Sequence, residues 1–266
     1  MRSVFSYLKI ILLFLVSVIA LSQANTLEEV VKRQMDFVSG GKLTVKNVNG
    51  RVTVEAWDKE EVYMEAVKQV KTDDRDKAQK AMERLEIIIE QSQDEIYIQS
   101  RHPRSSGESG FFDWLFGDHT STNVSYSLRV PRSCHLRISS TNGTIAVMEV
   151  TGNMSLKTTN GKIRADRVGG AVYARTTNGS IEGVLTSFEE AEDLEFTTTN
   201  GSVNVTLPQE SRFDLRAKTT NGSISTDFPI EIEGRYDQKR IRAKINGGGP
   251  LLYLETTNGN IRLHKS

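Results

Sequence analysis

The chain has 266 residues, 37% apolar and 26% charged, and its 34 Lys and Arg balance its 34 Asp and Glu. Balanced charge gives no electrostatic reason to expect nucleic acid as a partner, and a single cysteine, Cys134, excludes an intramolecular disulfide. The four histidines (102, 119, 135 and 264) are scattered without metal-ligand spacing, so neither a metal nor a cofactor is expected.

Residues 1–24 read as a secretory signal peptide. Arg2 and Lys9 supply the positive end, Ile10 to Leu21 is apolar apart from Ser17, and Ser22-Gln23-Ala24 offers small residues for cleavage. Twelve apolar residues fall short of the roughly 20 that span a bilayer. Cleavage near Ala24 leaves 242 residues with 32 basic against 34 acidic side chains and no second long apolar run. The expected mature protein is extracytoplasmic (periplasmic, secreted or surface) and has no transmembrane span.

Residues 25–131 read as a β-rich cap carrying one short helix. Leu43, Val45, Val52 and Val54 alternate around Asn47-Val48-Asn49-Gly50, and Val62 to Val70 is a strand. Thr72-Asp73-Asp74 opens a helix through about Leu85, with Ala78, Ala81, Met82 and Leu85 on one side. Leu85 to Glu90 and Glu95 to Ser100 are strands around a Ser92-Gln93-Asp94 turn. The stretch 101–120 breaks the pattern, placing Phe111, Phe112, Trp114, Leu115 and Phe116 on a segment with neither helical nor strand period. Such a segment either folds back over the flank or docks on a partner. Thr122 to Val130 returns to strand, and Cys134 reads as a small filler rather than a nucleophile, since no partner recurs at a telling spacing.

Residues 132–266 are a repeat array. Ser140-Thr141-Asn142-Gly143 recurs as Thr-Thr-Asn-Gly ending at Asn160-Gly161, Asn178-Gly179, Asn200-Gly201, Asn221-Gly222 and Asn258-Gly259, and Asn49-Gly50 ends a worn copy. The steps between successive Asn residues from 142 are 18, 18, 22, 21 and 37. Apolar residues fall six and four positions before the Asn, as in Met154 and Leu156 or Leu194 and Phe196. They fall three and five after it, as in Ile163 and Ala165 or Val203 and Val205. Period-two alternation on both sides makes each copy strand, corner, strand with one face buried. Asn and Gly suit a corner that needs positive φ.

Two architectures fit: an antiparallel β-sandwich of Asn-Gly hairpins, or a parallel β-solenoid in which identical corners stack about 4.8 Å apart. The shared Thr-Thr before each turn favours the solenoid, because stacked like residues form ladders. The inserts 187–192 and 227–240 lengthen two coils as loops, and Asn246-Gly247-Gly248-Gly249-Pro250 turns into the last copy.

These features together resemble the bacterial putative-adhesin family, exported β-strand-repeat proteins of unknown function. The residues that carry the likeness are the leader, Gly-Lys-Leu-Thr-Val with Val-Asn-Gly-Arg-Val-Thr-Val near the start, Val130-Pro131, the serial Thr-Thr-Asn-Gly-Ser-Ile copies, and Ile245-Asn246-Gly247-Gly248-Gly249. The resemblance covers about residues 37 to 264 and implies a right-handed parallel β-helix outside the cytoplasm. It supplies no catalytic residues.

A glycan-active enzyme would need clustered acids on adjacent coils. Of the residues four and six after each Asn, only Asp166 and Glu182 approach this, and a solvated charged face explains them. A non-enzymatic module of the cell envelope, binding an envelope polymer or protein, is the expected function. Its candidate contacts are the aromatic segment and the outward row Thr141, Thr159, Thr177, Thr199, Thr220 and Thr257. A flat hydroxyl row suits a regular polymer, whether glycan or ice. The plain alternative is that threonine simply suits a strand and bonds to its stacked neighbour.

Overall fold

The computed structural model of the protein describes residues 16–17, 26–102, 120–188, 193–230 and 239–266. Of residues 1–24, read above as a leader, only Val16–Ser17 are described, and the aromatic segment lies outside the described residues.

Among the described residues, twenty-one strands and one helix follow in chain order. The first part comprises β1 (Val16–Ser17), β2 (Thr26–Asp36), β3 (Lys42–Lys46), β4 (Val52–Trp57) and β5 (Glu61–Lys71). Then come α1 (Arg75–Arg84), β6 (Glu86–Gln91), β7 (Glu95–Arg101) and β8 (Ser121–Pro131). The repeats supply β9 (His135–Ser139), β10 (Ile145–Met148), β11 (Met154–Lys157), β12 (Ile163–Gly169), β13 (Val172–Asn178) and β14 (Ile181–Ser187). The chain continues with β15 (Asp193–Asn200), β16 (Val203–Leu207), β17 (Phe213–Asn221) and β18 (Ile224–Thr226). It ends with β19 (Arg240–Ile245), β20 (Leu251–Asn258) and β21 (Ile261–Lys265).

These strands form two sheets. Sheet A runs β1-β2-β5-β8-β4-β10-β12-β14-β16-β21-β18, and sheet B runs β19-β17-β20-β15-β13-β11-β9-β3-β7-β6. Each repeat places one strand in sheet B, turns at its Asn-Gly corner and returns in sheet A. Neighbouring repeats pair parallel in both sheets, as β11 with β13 and β12 with β14 do. Hairpins would pair antiparallel within one sheet, so the sandwich alternative is excluded and the β-solenoid stands.

The two inward faces make one continuous core. Met154, Leu156, Ile163, Ala165, Leu194, Phe196, Val203 and Val205 are all buried, as the alternation requires. Burying each such aliphatic or aromatic side chain contributes about 1.5–3 kcal/mol. Gly183 lies opposite a large residue, since a Cβ there would meet the Phe196 ring at 2.9 Å. At the N-terminal end α1 is capped by Asp74, whose side chain accepts from the N–H groups of Asp76 and Lys77, and it buries Ala78 and Met82. At the other end Phe213 stands edge-on to Phe228 (centroids 5.3 Å apart) and Phe188 (6.2 Å). Cys134 is buried, and burial pushes its thiol pKa up to about 12, as a filler rather than a nucleophile would have it.

Chain order and stacking order differ at both ends. Along the axis the rungs are β7/β8, β3/β4, β9/β10, β11/β12, β13/β14, β15/β16, β20/β21 and β17/β18. The last repeat is wedged between the two before it: Asn258 is level with Asn200 on one side and Asn221 on the other. The cause is β19, a strand just after the insert 227–240 that the sequence pattern did not anticipate. It pairs antiparallel with the far edge of β17, so the returning chain can reach only the near edge. Strand β2, which pairs antiparallel with β5, was also not anticipated, because Thr26–Asp36 carries no clean apolar alternation.

The reason for Asn-Gly at the corners also needs correction. No corner Asn has positive φ, and of the corner glycines only Gly50 (+119°) and Gly201 (+154°) do. Stacking is what excludes a side chain. A Cβ on Gly161 would lie 2.0 Å from the carbonyl oxygen of Gly143, and one on Gly179 would lie 2.0 Å from that of Gly161. The glycines are needed because one rung's backbone passes directly over the next.

Candidate binding site along the threonine and asparagine corner

Three residues of each corner form three columns running the length of the array. The asparagine column is a chain of side-chain amides. Asn142 Nδ2 donates to Asn49 Oδ1 (2.8 Å), Asn160 to Asn142 (2.8 Å), Asn178 to Asn160 (2.7 Å) and Asn200 to Asn178 (2.7 Å). Asn258 then donates to Asn200 (2.7 Å) and Asn221 to Asn258 (2.8 Å). Bonds between amides aligned in one direction polarise one another, which favours an uninterrupted column.

The inner threonine column is buried and structural. Thr158 Oγ1 donates to the Gly143 carbonyl (3.1 Å), Thr176 to Gly161 (3.0 Å), Thr198 to Gly179 (2.8 Å), Thr256 to Gly201 (2.8 Å) and Thr219 to Gly259 (2.9 Å). In the worn first copy Asn47 takes this place. Its Nδ2 donates to the Val124 carbonyl at 2.9 Å, and its Oδ1 accepts from Ser100 Oγ at 2.6 Å.

The outer column, Thr141, Thr159, Thr177, Thr199, Thr257 and Thr220 in stacking order, is exposed. None of its hydroxyls has a hydrogen-bond partner among the described residues, unlike the inner threonines. The expected bonding to stacked neighbours is absent, and a row of free hydroxyls and methyls about 4.8 Å apart remains.

The other candidate contacts, Phe111, Phe112, Trp114 and Phe116, lie outside the described residues. The described residues that flank them, at the end of β7 and the start of β8, lie on the edge where the other rungs carry Asn-Gly corners. These flanking residues are tied down: His102 Nδ1 is 2.9 Å from Thr122 Oγ1, and Asn49 Nδ2 donates to the Thr122 carbonyl. Burial lowers the His102 pKa.

The acids singled out for chemistry do not act as a pair. Glu182 is held by Lys162, while Asp166 faces Arg164 at 3.6 Å and Arg167 at 3.4 Å. A shallow depression of 420 Å³ on sheet A is lined by Glu182, Val184, Asn204, Thr206, Arg262 and His264, with His264 Nδ1 3.1 Å from Asp227. Sequence spacing could not reveal it, because Arg262 and His264 reach Asn204 and Thr206 only through the wedged repeat. Among the described residues no group of three or more His, Cys, Asp or Glu is placed to hold a metal ion, and no helix is long and apolar enough to cross a membrane.

Sheet B presents an aromatic and charged outer face that the sequence rows did not single out. Lys157 Nζ lies 4.7 Å from the centre of the Tyr173 ring, and Lys46 lies 5.3 Å from that of Tyr97. The Lys218 ammonium, 2.8 Å from Glu255, and the Tyr253 hydroxyl hold the Glu255 carboxyl below its usual range. Burial, followed by the neighbouring Glu255, pushes Tyr253 up to about 12.

No curated protein matches the sequence. Two solved structures are similar over most of the chain. A "putative cell adhesion protein" from Clostridium sporogenes is 12% identical, with a TM-score of 0.46 over 91% of this chain and 100% of that one. A "putative adhesin" from Bacteroides fragilis is 8% identical, with a TM-score of 0.41 over 89% of this chain and 97% of that one. The model of the family described as Toastrack DUF4097 matches residues 40–264, and the chain belongs to that family.

Proposed function

We propose that the protein is an exported, non-enzymatic adhesin-like module that holds an extended envelope polymer, foremost a glycan, along its outer threonine column. One observation carries the reading: six exposed threonine hydroxyls in one row along the stack, each without a partner among the described residues. A rigid row presents its donors and acceptors already ordered, so a regular polymer meets little entropic cost on the protein side. The columns beneath, of amides and inner hydroxyls, keep the row straight. The leader-like residues 1–24 support an extracytoplasmic site, and the aromatic segment 101–120 is proposed as a further contact at one end of the row.

The test replaces Thr159, Thr177 and Thr199 together by Val, which keeps shape and strand propensity while removing hydroxyls. Retention of the purified protein on envelope polysaccharide should drop at least about tenfold with the unfolding midpoint unchanged, as three lost polar contacts imply. Equal retention by the triple variant and the parent overturns the threonine row as the site. Loss of retention only on replacing Trp114 and Phe116 by Ser moves the contact to the aromatic segment.

A further inference from the structure

We infer that copies of this chain associate head to tail along the solenoid axis, the β19 end of one meeting the β6 end of the next. Three independent observations meet on these ends.

The first is the shape of the ends. Beyond rung β7/β8, sheet A continues by β5 and β2 while sheet B continues by β6 alone; the two-residue β1 touches only Val30 and Val31 of β2. Beyond rung β17/β18, sheet A stops and sheet B adds β19. Abutting the two ends therefore puts two strands between the terminal rungs in each sheet: β5 and β2 in one, β6 and β19 in the other.

The second is direction. Strands β6 and β19 both run antiparallel to the rungs they flank, and β2 is antiparallel to β5, which is antiparallel to β8. Both new junctions, β19 with β6 and β18 with β2, then pair parallel, as neighbouring rungs do. Among the described residues β6, β18 and β19 each have a partner on one side only, while the outer edge of β2 carries β1 at Val30 and Val31, a strand within the leader-like residues 1–24; the remaining outer backbone groups of these edges are open to such bonds.

The third is charge. A single outward row crosses sheet B from Glu90 through Tyr97, Thr44, Arg137, Ser155, Tyr173, Glu195, Tyr253 and Arg216 to Arg242. It begins with an acid and ends with a base. Glu90 and Arg242 are exposed, and neither has an ion-pair partner among the described residues. Continuing the stack places the next copy's Glu90 beside Arg242. Edge-strand charges ordinarily keep sheets apart, and here the opposite signs at the two ends make them attract instead. Because the two faces differ, the contact is open-ended and builds a filament rather than a closed dimer.

Sedimentation velocity of the purified chain across concentration and salt tests this. The parent should form a ladder of species that shortens as salt screens the pair. Arg242→Glu and Glu90→Arg, each checked for unchanged circular dichroism and melting, should each weaken self-association at least about tenfold, as like charges in contact do. Mixing the two variants restores both junctions, Arg242 of one against Glu90 of the other and, with the signs exchanged, the reversed positions against each other, and should rebuild an alternating ladder that neither variant forms alone. A parent that stays monomeric at every concentration, a closed dimer, or association indifferent to both reversals overturns the inference. So does a monomeric parent for which Arg242→Glu abolishes only retention on heparin, since the basic end would then serve a polyanion.

Discussion

The two edges of this flattened solenoid obey different rules. On the edge that carries Asn-Gly, successive copies are nearly identical, because amide bonds to amide, inner hydroxyl bonds to glycine carbonyl, and the glycines pass with no room for a Cβ. On the opposite edge the connections differ in length, from Gly170–Ala171 to the stretch 188–192, and use positive φ at Glu149 (59°), Gly152 (139°) and Gly170 (93°), with Arg167 (52°) in an irregularity of β12 beside them. Side-chain bonds that run from rung to rung demand the same residue at the same height; on the other edge the rung-to-rung bonds are made by backbone groups, Thr151 N–H to the Arg132 carbonyl and Gly170 N–H to the Ser187 carbonyl, which any residue supplies. The uneven steps of 18, 18 and 22 in the sequence arise on the second edge.

The largest effect expected from testing this contrast is at a corner glycine. Gly161→Ala drives a methyl into the Gly143 carbonyl and should cost at least about 3 kcal/mol in urea denaturation, or prevent folding. Four extra Gly/Ser residues between Ser187 and Asp193, on the other edge, should cost less than about 1 kcal/mol. Equal costs would dissolve the distinction between the edges.

Next comes the amide column. Asn178→Ala removes two side-chain bonds and should cost about 1–2 kcal/mol, whereas Asn221→Ala, at the column's end, removes one and should cost about half as much. Melting midpoints of the two variants give the ratio directly. A similar loss at both positions would mean that stability does not follow the number of amide bonds removed.

The two threonine columns separate more finely. Thr176→Val leaves the Gly161 carbonyl without its donor and should cost about 1 kcal/mol, while Thr177→Val should change stability by less than about 0.5 kcal/mol.

The smallest effect is at the first rung, where the ladder gives way to the segment joining β7 and β8. Burial lowers the His102 pKa, so the unfolded chain takes up this proton more readily than the folded one. Stability should hold steady above about pH 6.5, the unfolded value, and fall as the pH drops below it towards the folded value. Comparing thermal melts at about pH 7 and about pH 5 with those of His102→Gln isolates the contribution.

The corner edge was legible from residues 140–259 because its logic is local and repeated. Period-two alternation named the inward residues Leu156, Ile163, Phe196 and Val203, and the recurring Thr-Thr-Asn-Gly named the stack. What those residues do there was less legible. Glycine at a corner reads as a need for positive φ, and only the neighbouring rung's carbonyl shows that the constraint is steric. The two threonines of each copy look alike in sequence, yet one is buried and bonded while the next is exposed and free.

The sequence by itself determined that this is an all-β stack with one short helix, and which side chains face its core, because alternation and ladder chemistry depend on near neighbours along the chain. Only the tertiary structure decided the order of the rungs, the neighbours of Arg262 and His264, and the charges left bare at the two ends. Those depend on which free edge a returning strand finds, and β19, by occupying the far side of β17, left the last repeat a single place to enter.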